Sequence, residues 1–167
     1  MVLDLKRLFQ GDGGEETAVC QLDFTGVELG GAKPFCAPVR VQVWMKAFAG
    51  AVDFRAQVCC TLSMPCDRCA EPVVRDYEKS FVHTIVRETQ SGEDEDWILA
   101  PEERLDLDAL ILEDVLLDMP GQFLCGEDCK GLCPVCGKNW NEGPCGCGAD
   151  AVDPRLGGLR QLLEQEE

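Results

Sequence analysis

PVRVQVWMKAFAGAVDFRAQVCCTLSM, residues 38–64, reads as two strands joined by a two-residue turn. Val39, Val41, Val43, Met45 and Ala47 alternate with Arg40, Gln42, Trp44, Lys46 and Phe48. After Ala49-Gly50, Val52, Phe54, Ala56, Val58, Cys60, Leu62 and Met64 alternate with Asp53, Arg55, Gln57, Cys59, Thr61 and Ser63. Period two sustained over this length is the signature of half-buried strands. Centring the hairpin on Ala49-Gly50 places Lys46 opposite Asp53, Trp44 opposite Arg55 and Met45 opposite Phe54. Every apolar residue then falls on one face and opposed charges meet. A loop one residue longer would turn one strand over and destroy that agreement.

Working outward, VVRDYEKSFVHTIVR (73–87) is a third strand, which leaves PCDRCAEP at the tip of a second hairpin. On the other side VCQLDFTG (19–26) alternates as a strand, GDGGEE (11–16) is a loop, and Leu3, Leu5 and Leu8 suit a short strand or one helical turn. SGEDED (91–96) has the composition of a solvated linker. LDLDALILEDVLLDM (105–119) reads as a helix with Leu107, Leu110, Ile111, Val115 and Met119 on one face. Asp106 and Asp108 favour its N-terminus, and Pro120-Gly121 stops it. Asp153-Pro154 opens a second, short amphipathic helix carrying Leu156, Leu159, Leu162 and Leu163. The expected fold is α+β: an antiparallel meander or barrel-like sheet, one or two helices, and a zinc-stapled cysteine-rich C-terminal segment. Residues 1–124 and 125–167 would form one integrated domain.

The chemistry lies in the cysteines. Six of the twelve fall between Cys125 and Cys147, and Cys66 and Cys69 form a CDRC pair at the hairpin tip. Thiolates two residues apart suit a tetrahedral zinc ion, because a tight turn aims both sulfurs at one point. GLCPVCG (131–137) is the sharpest case: Pro134 fixes the turn and Gly137 tolerates the left-handed backbone that follows it. Cys133, Cys136, Cys145 and Cys147 can close one site alone. Cys125 and Cys129 are then free to join Cys66 and Cys69, clamping the hairpin tip to the C-terminal segment and closing a long loop. Two competing arrangements are a binuclear cluster with bridging sulfurs and a redox dithiol at Cys66-Asp67-Arg68-Cys69, which no thioredoxin-like pattern surrounds. The spacing Cys129-x3-Cys133-x2-Cys136 also matches that of radical-SAM iron–sulfur enzymes, but the strand–helix alternation of their barrel is missing.

Nothing at the N-terminus resembles a secretory signal, and no apolar run suits a membrane span. A reducing, cytoplasmic setting is therefore expected, in which cysteines serve metal rather than disulfides. Cys20, Cys36, Cys59 and Cys60 are expected to be small buried side chains. Sites made of four thiolates leave no position for water, so the zinc is expected to be structural. The sole histidine, His83, lies between Phe81 and Ile85 and is expected to be a packed side chain, so no catalytic residue is expected.

Formal charge is −16, which disfavours general nucleic-acid binding. It is unevenly spread: residues 33–87 sum to +3 and residues 88–118 to −11. Two surfaces are therefore candidates for partners. Arg40, Trp44, Lys46 and Arg55 share the polar hairpin face, with Arg75 and Lys79 expected nearby, and can meet RNA by stacking and charge. The more conservative reading puts Trp44 and Phe48 in a second, smaller core. Glu93, Asp94, Glu95 and Asp96 suit a basic partner.

The order CDRCAEPV (66–73), acidic linker, L-D-L helix, LCGEDCKGLCPVCGKNWN (124–141), CGC (145–147) and DPRLGGLRQLL (153–163) resembles the YceD family, the large ribosomal RNA subunit accumulation proteins, over essentially the whole chain. The resemblance implies a bacterial or plastid factor needed for normal accumulation of 23S ribosomal RNA, often encoded beside a large-subunit ribosomal protein. The family has no known catalytic set, so the eight cysteines carry over only as metal ligands. Trp140 stands where an aliphatic residue is more usual, a departure expected to bear on packing rather than chemistry. The expected function is thus a non-enzymatic ribosome-biogenesis factor with one or two structural zinc ions. Its expected partner is a basic large-subunit ribosomal protein or rRNA-processing factor, with rRNA contacted directly or indirectly. The alternatives are a direct RNA-binding zinc protein, marked by steep salt dependence, and a thiol- or metal-dependent enzyme, marked by an open coordination position.

Overall fold

The alternating stretch builds the centre of a sheet in the computed structural model, which describes residues 1–11, 14–88 and 97–147. The chain runs β1 (Val2–Asp4), α1 (Lys6–Gln10), β2 (Glu15–Leu22), β3 (Val39–Phe48), β4 (Ala51–Pro65), β5 (Pro72–Val86), β6 (Trp97–Leu99), β7 (Arg104–Asp106) and α2 (Leu107–Asp118), with a 3₁₀ turn at Trp140–Glu142. The main sheet has the order β2-β3-β4-β5-β6, and β1 pairs with β7 in a separate two-stranded ribbon. From β2 to β5 the strands form an antiparallel meander, while β6 joins β5 in parallel. The α+β class with a largely antiparallel sheet is as expected; the short parallel edge strand was not legible. The linker 91–96, with Glu93, Asp94, Glu95 and Asp96, and the helix expected after Asp153 lie outside the described residues.

Register follows the hydrophobic pattern. Lys46 faces Asp53, Trp44 faces Arg55 and Met45 faces Phe54. Ala49 (φ 48°) and Gly50 (φ 84°) both have positive φ, the conformation of the two-residue turns whose twist matches that of the strands. Val39, Val41, Val43, Val52, Phe54, Ala56 and Val58 are wholly buried. Each of the valines and Phe54 contributes roughly 1.5–3 kcal/mol by leaving water. Leu5 and Leu8 near α1, and Leu107, Ile111 and Val115 of α2, pack into the same core.

The helix starts later than its pattern suggests. Arg104–Asp106 pairs with Val2–Asp4 instead of forming the first turn. Asp106 thereby becomes the N-cap, its Oδ1 accepting from the N–H groups of Asp108 (3.2 Å) and Ala109 (3.4 Å). The helix face is also less apolar than expected. Asp114 is buried three residues beyond Ile111, and its Oδ2 lies 2.8 Å from His83 Nε2. One turn on, Asp118 accepts from the Tyr77 hydroxyl (2.9 Å) and the Lys79 ammonium (3.2 Å). These contacts fasten α2 across β5. His83 sits against the Phe54 ring, a packed histidine with a carboxylate partner.

Two expectations about β5 and the lone cysteines need correction. Because Leu62 faces Arg75 and Val58 faces Lys79, both basic residues lie on the core side of the sheet at its rim, not beside Arg40 and Arg55. Cys36 is exposed, and Cys20, Cys59 and Cys60 are half-buried rather than buried. Burial pushes the Cys60 thiol up to about 11, with the neighbouring Cys59 and Cys36 adding to it. No helix among the described residues is long and apolar enough to cross a membrane.

Candidate metal centres

Both CxxC turns are built alike. At the tip between β4 and β5, the Cys66 N–H donates to the Glu71 carbonyl (2.7 Å) and the Ala70 N–H to the Cys66 carbonyl (2.8 Å). At Cys133-Pro134-Val135-Cys136 the Cys133 N–H donates to Lys138 (2.8 Å) and the Gly137 N–H to Cys133 (2.8 Å). The residue after the second cysteine is left-handed in each: Ala70 at φ 60° and Gly137 at φ 72°. Glycine reaches that conformation freely, whereas alanine is strained there.

These turns anchor two separate sets of four sulfurs. Cys66, Cys69, Cys125 and Cys129 form one; Cys133, Cys136, Cys145 and Cys147 form the other. Within each set the Sγ atoms all lie within 4.8 Å of one another. In the first, Cys66 and Cys129 are 3.8 Å apart and Cys69 and Cys125 are 3.6 Å apart. A tetrahedral ion with metal–sulfur bonds of about 2.3 Å holds its sulfurs about 3.8 Å apart, so the donor set fits such an ion. The separations are far from a disulfide's roughly 2.05 Å. The sets share no cysteine, which leaves no bridging sulfur for a binuclear cluster. They are the two sets anticipated from spacing.

Backbone and side chains prepare the first set. The Asp67 carboxylate accepts from the Phe123 N–H (2.8 Å), and the Asp67 N–H returns a bond to Phe123 O (2.8 Å). Arg68 donates to the carbonyls of Glu127 (3.2 Å) and Cys129 (3.0 Å), and Arg75 to that of Leu124 (2.7 Å). Arg68 is thus a clamp on the cysteine segment rather than the counter-ion a redox dithiol would want. Gly131 closes the junction: at φ +75° its absent Cβ would stand 3.0 Å from the Arg68 carbonyl oxygen. Burial pushes the Cys66 thiol up, but N–H groups of Cys125, Arg68 and Cys69 outweigh it and hold the thiol down to about 6.

Trp140 departs from its expected role. Its indole N–H donates to Cys145 Sγ (3.4 Å), and that bond is the largest cause holding the Cys145 thiol down to about 6. Asn141, which the sequence did not single out, donates from its amide to Cys129 Sγ (3.4 Å) and lowers the Cys129 thiol. Conversely, the sulfur of Cys129 first, then Cys69, holds the Cys125 thiol up to about 12, and Cys136 does the same for Cys147. Four clustered thiols cannot all ionise without a cation between them.

The proposed RNA or partner residues sit on the opposite face of the sheet, against which none of the described helices packs. Trp44, Lys46 and Arg55 line a trough of about 690 Å³ with Glu15, Thr17, Asp53 and Val82. Arg40 lies in a smaller depression with Gln42, Gln57 and Cys59. Lys46 is paired with Glu15 at 2.7 Å and faces Asp53, so its charge is locally met. Phe48 is 67% exposed and forms no second core with the described residues.

Residues 54–163 match a family described as Large ribosomal RNA subunit accumulation protein YceD. An uncharacterized Bacillus subtilis protein, YlbN, is 29% identical over 133 residues, covering 78% of this chain and 77% of that one. The Arabidopsis thaliana protein named Large ribosomal RNA subunit accumulation protein YCED homolog 1, chloroplastic, is 30% identical over 113 residues, covering 58% of this chain and 35% of its own length. An uncharacterized Mycobacterium tuberculosis protein is 30% identical over 105 residues, 60% of this chain and 50% of its own. No solved structure matches.

Proposed function

The chain belongs to the YceD family, and on that premise we propose that it is a non-enzymatic factor supporting accumulation of large-subunit ribosomal RNA. In this reading both sulfur sets hold zinc. The observation that carries it is the distribution of thiols: eight cysteines fall into two sets of four, so each ion would be fully coordinated by protein. Zinc there would supply no redox chemistry and no activated water; it would fasten the cysteine segment to the sheet. The fastened unit would then present its surfaces to a partner. The −11 stretch 88–118, including Glu93, Asp94, Glu95 and Asp96, suits a basic large-subunit ribosomal protein or a basic rRNA-processing factor.

The test is complementation of a bacterial strain depleted of its own family member. Wild-type protein should restore the ratio of large- to small-subunit rRNA, and the double variant Cys66→Ser/Cys129→Ser should not. Neutralising the four acidic residues to amides should weaken capture of the basic partner with the fold intact. Restoration by the cysteine variant, or unchanged capture by the acidic one, would contradict the reading.

Direct RNA contact is the second reading. It is supported by Trp44 standing opposite Arg55 in a trough on the polar face of the sheet, and opposed by the Glu15 and Asp53 carboxylates beside Lys46. Binding to single-stranded RNA that falls steeply with salt and is lost in Trp44→Ala would favour it.

A further inference from the structure

We propose that the Trp140–Glu142 turn couples the two metal sites, so that filling one strengthens the other. This inference rests on the metal-bound reading above. Adjacent residues of this turn reach different sites: the Trp140 indole bonds Cys145 Sγ of the second set, and the Asn141 amide bonds Cys129 Sγ of the first, both at 3.4 Å.

The turn is fixed to the segment between the sites as well. The Trp140 N–H donates to the Gly131 carbonyl (2.9 Å), and the Lys130 N–H donates to Asn141 Oδ1 (2.9 Å). On the other side of that segment, the Leu132 N–H reaches the Arg68 carbonyl (3.1 Å) inside the first CxxC turn. Leu132 directly precedes Cys133, the first ligand of the second set. A chain of bonds therefore runs from Arg68 through Gly131 and Leu132 to the turn and back to both sulfur sets.

An ion in the second set would fix Cys133, Cys136 and Cys145, between which Trp140 and Asn141 lie. Fixing them would place the Asn141 amide on Cys129 before the first site fills, removing an ordering cost from that step. By linkage the first ion must favour the second by the same factor. Outer hydrogen bonds to ligands commonly change metal affinity about 10–100-fold when removed. Asn141 and Trp140 are thus positioning residues acting through the ligands they touch.

The experiment loads metal-free full-length protein with Co²⁺, followed by thiolate-to-metal absorption, and with ¹¹³Cd²⁺, whose resonance reports each four-sulfur site separately. Asn141→Ala is expected to weaken the first site about 10–100-fold and move its ¹¹³Cd resonance, and Trp140→Phe to do the same at the second. Asn141→Asp keeps the oxygen that accepts from Lys130 but loses the amide N–H bonds to Cys129 Sγ and to Asn139 Oδ1 (2.9 Å). It should behave like Asn141→Ala, and in both the first site's ¹¹³Cd resonance should move; an unmoved resonance would assign Asn141 to the turn alone. Disabling the second site by Cys133→Ser/Cys136→Ser should weaken the first by at least about fivefold, the low end of ordinary coupling. Two ions bound with affinities independent of each other and of these variants would overturn the coupling while leaving the metal reading intact. Failure to bind either ion would overturn both.

Discussion

The sheet encloses Val39, Val41, Val43, Phe54 and Val58 completely, whereas residues 120–147 bury only Phe123, Cys129 and Cys133 among their apolar and sulfur side chains. The small cluster around the hairpin tip consists of Cys66, Cys69, Val73 and Cys129, with Leu124 against it. Ordering a residue costs about 1–2 kcal/mol in backbone entropy, so a segment of that length cannot be held by so few apolar contacts. One region is organised by displaced water and a strand ladder, and the other by sulfur geometry and a net of short hydrogen bonds. The two meet at the β4–β5 tip, where the longest hairpin of the sheet carries half of the first sulfur set.

The largest break between them should come from metal removal. Chelation under reducing conditions is expected to release residues 123–147 from the hairpin tip while β3, β4 and β5 stay paired. In zinc-finger peptides, structural zinc contributes an apparent 10–16 kcal/mol, roughly the scale at stake per site. Hydrogen exchange checks it: the amides of Cys129, Leu132 and Cys133 should lose protection and those of Val41 and Val58 should keep it. Loss of both together would mean the regions are one cooperative unit.

The converse perturbation is Phe54→Ala, which should lower global unfolding stability by about 3–5 kcal/mol. Metal content of the folded protein should be unchanged, as checked by denaturant titration beside elemental analysis. A smaller pair of opposed changes tests the shared CxxC geometry. Ala70→Gly should relieve left-handed strain and tighten the first site, and Gly137→Ala should loosen the second. Each is worth about 1 kcal/mol, or several-fold in metal affinity by chelator competition. Nothing lies within 4 Å of a Cβ added at Gly137, so that change reads backbone strain alone.

The smallest effect belongs to the helix clamp. Burial pushes the Tyr77 phenol well above its ordinary 10, and the Asp118 carboxylate that accepts its hydrogen bond adds to the rise. A group whose folded pKa is raised adds stability that is complete below pH 10 and is lost as pH climbs towards the folded value. Tyr77 is the only tyrosine in the chain, so phenolate absorbance reports it alone. Its titration should lie well above that of unfolded protein and move down in Asp118→Asn, with α2 becoming easier to detach at alkaline pH.

The unequal legibility of the two regions has the same physical origin. A period of two and an Ala49-Gly50 turn specify the β3–β4 register, because any slip exposes the whole apolar set. Cysteine spacing marked Cys133, Cys136, Cys145 and Cys147 as thiols that short loops let share an ion, and joined Cys125 and Cys129 to Cys66 and Cys69 only as the thiols left over. Long-range choices were hidden. Leu105 sits in a strand because Val2–Asp4 pairs with it, and a local helical pattern cannot report a partner a hundred residues away. Asp114 interrupts an apolar face and reads as noise until His83 is found beside it. Asn141 had no signal of its own, because a lone amide becomes informative only when a sulfur lies within reach.

The central claim, that the C-terminal region is built by metal, is tested most directly by elemental analysis with X-ray absorption on purified, reduced protein. The account predicts two zinc ions per chain, each with four sulfur neighbours at about 2.3 Å. Iron, a zinc carrying an oxygen neighbour, or a folded cysteine region with no metal would contradict it.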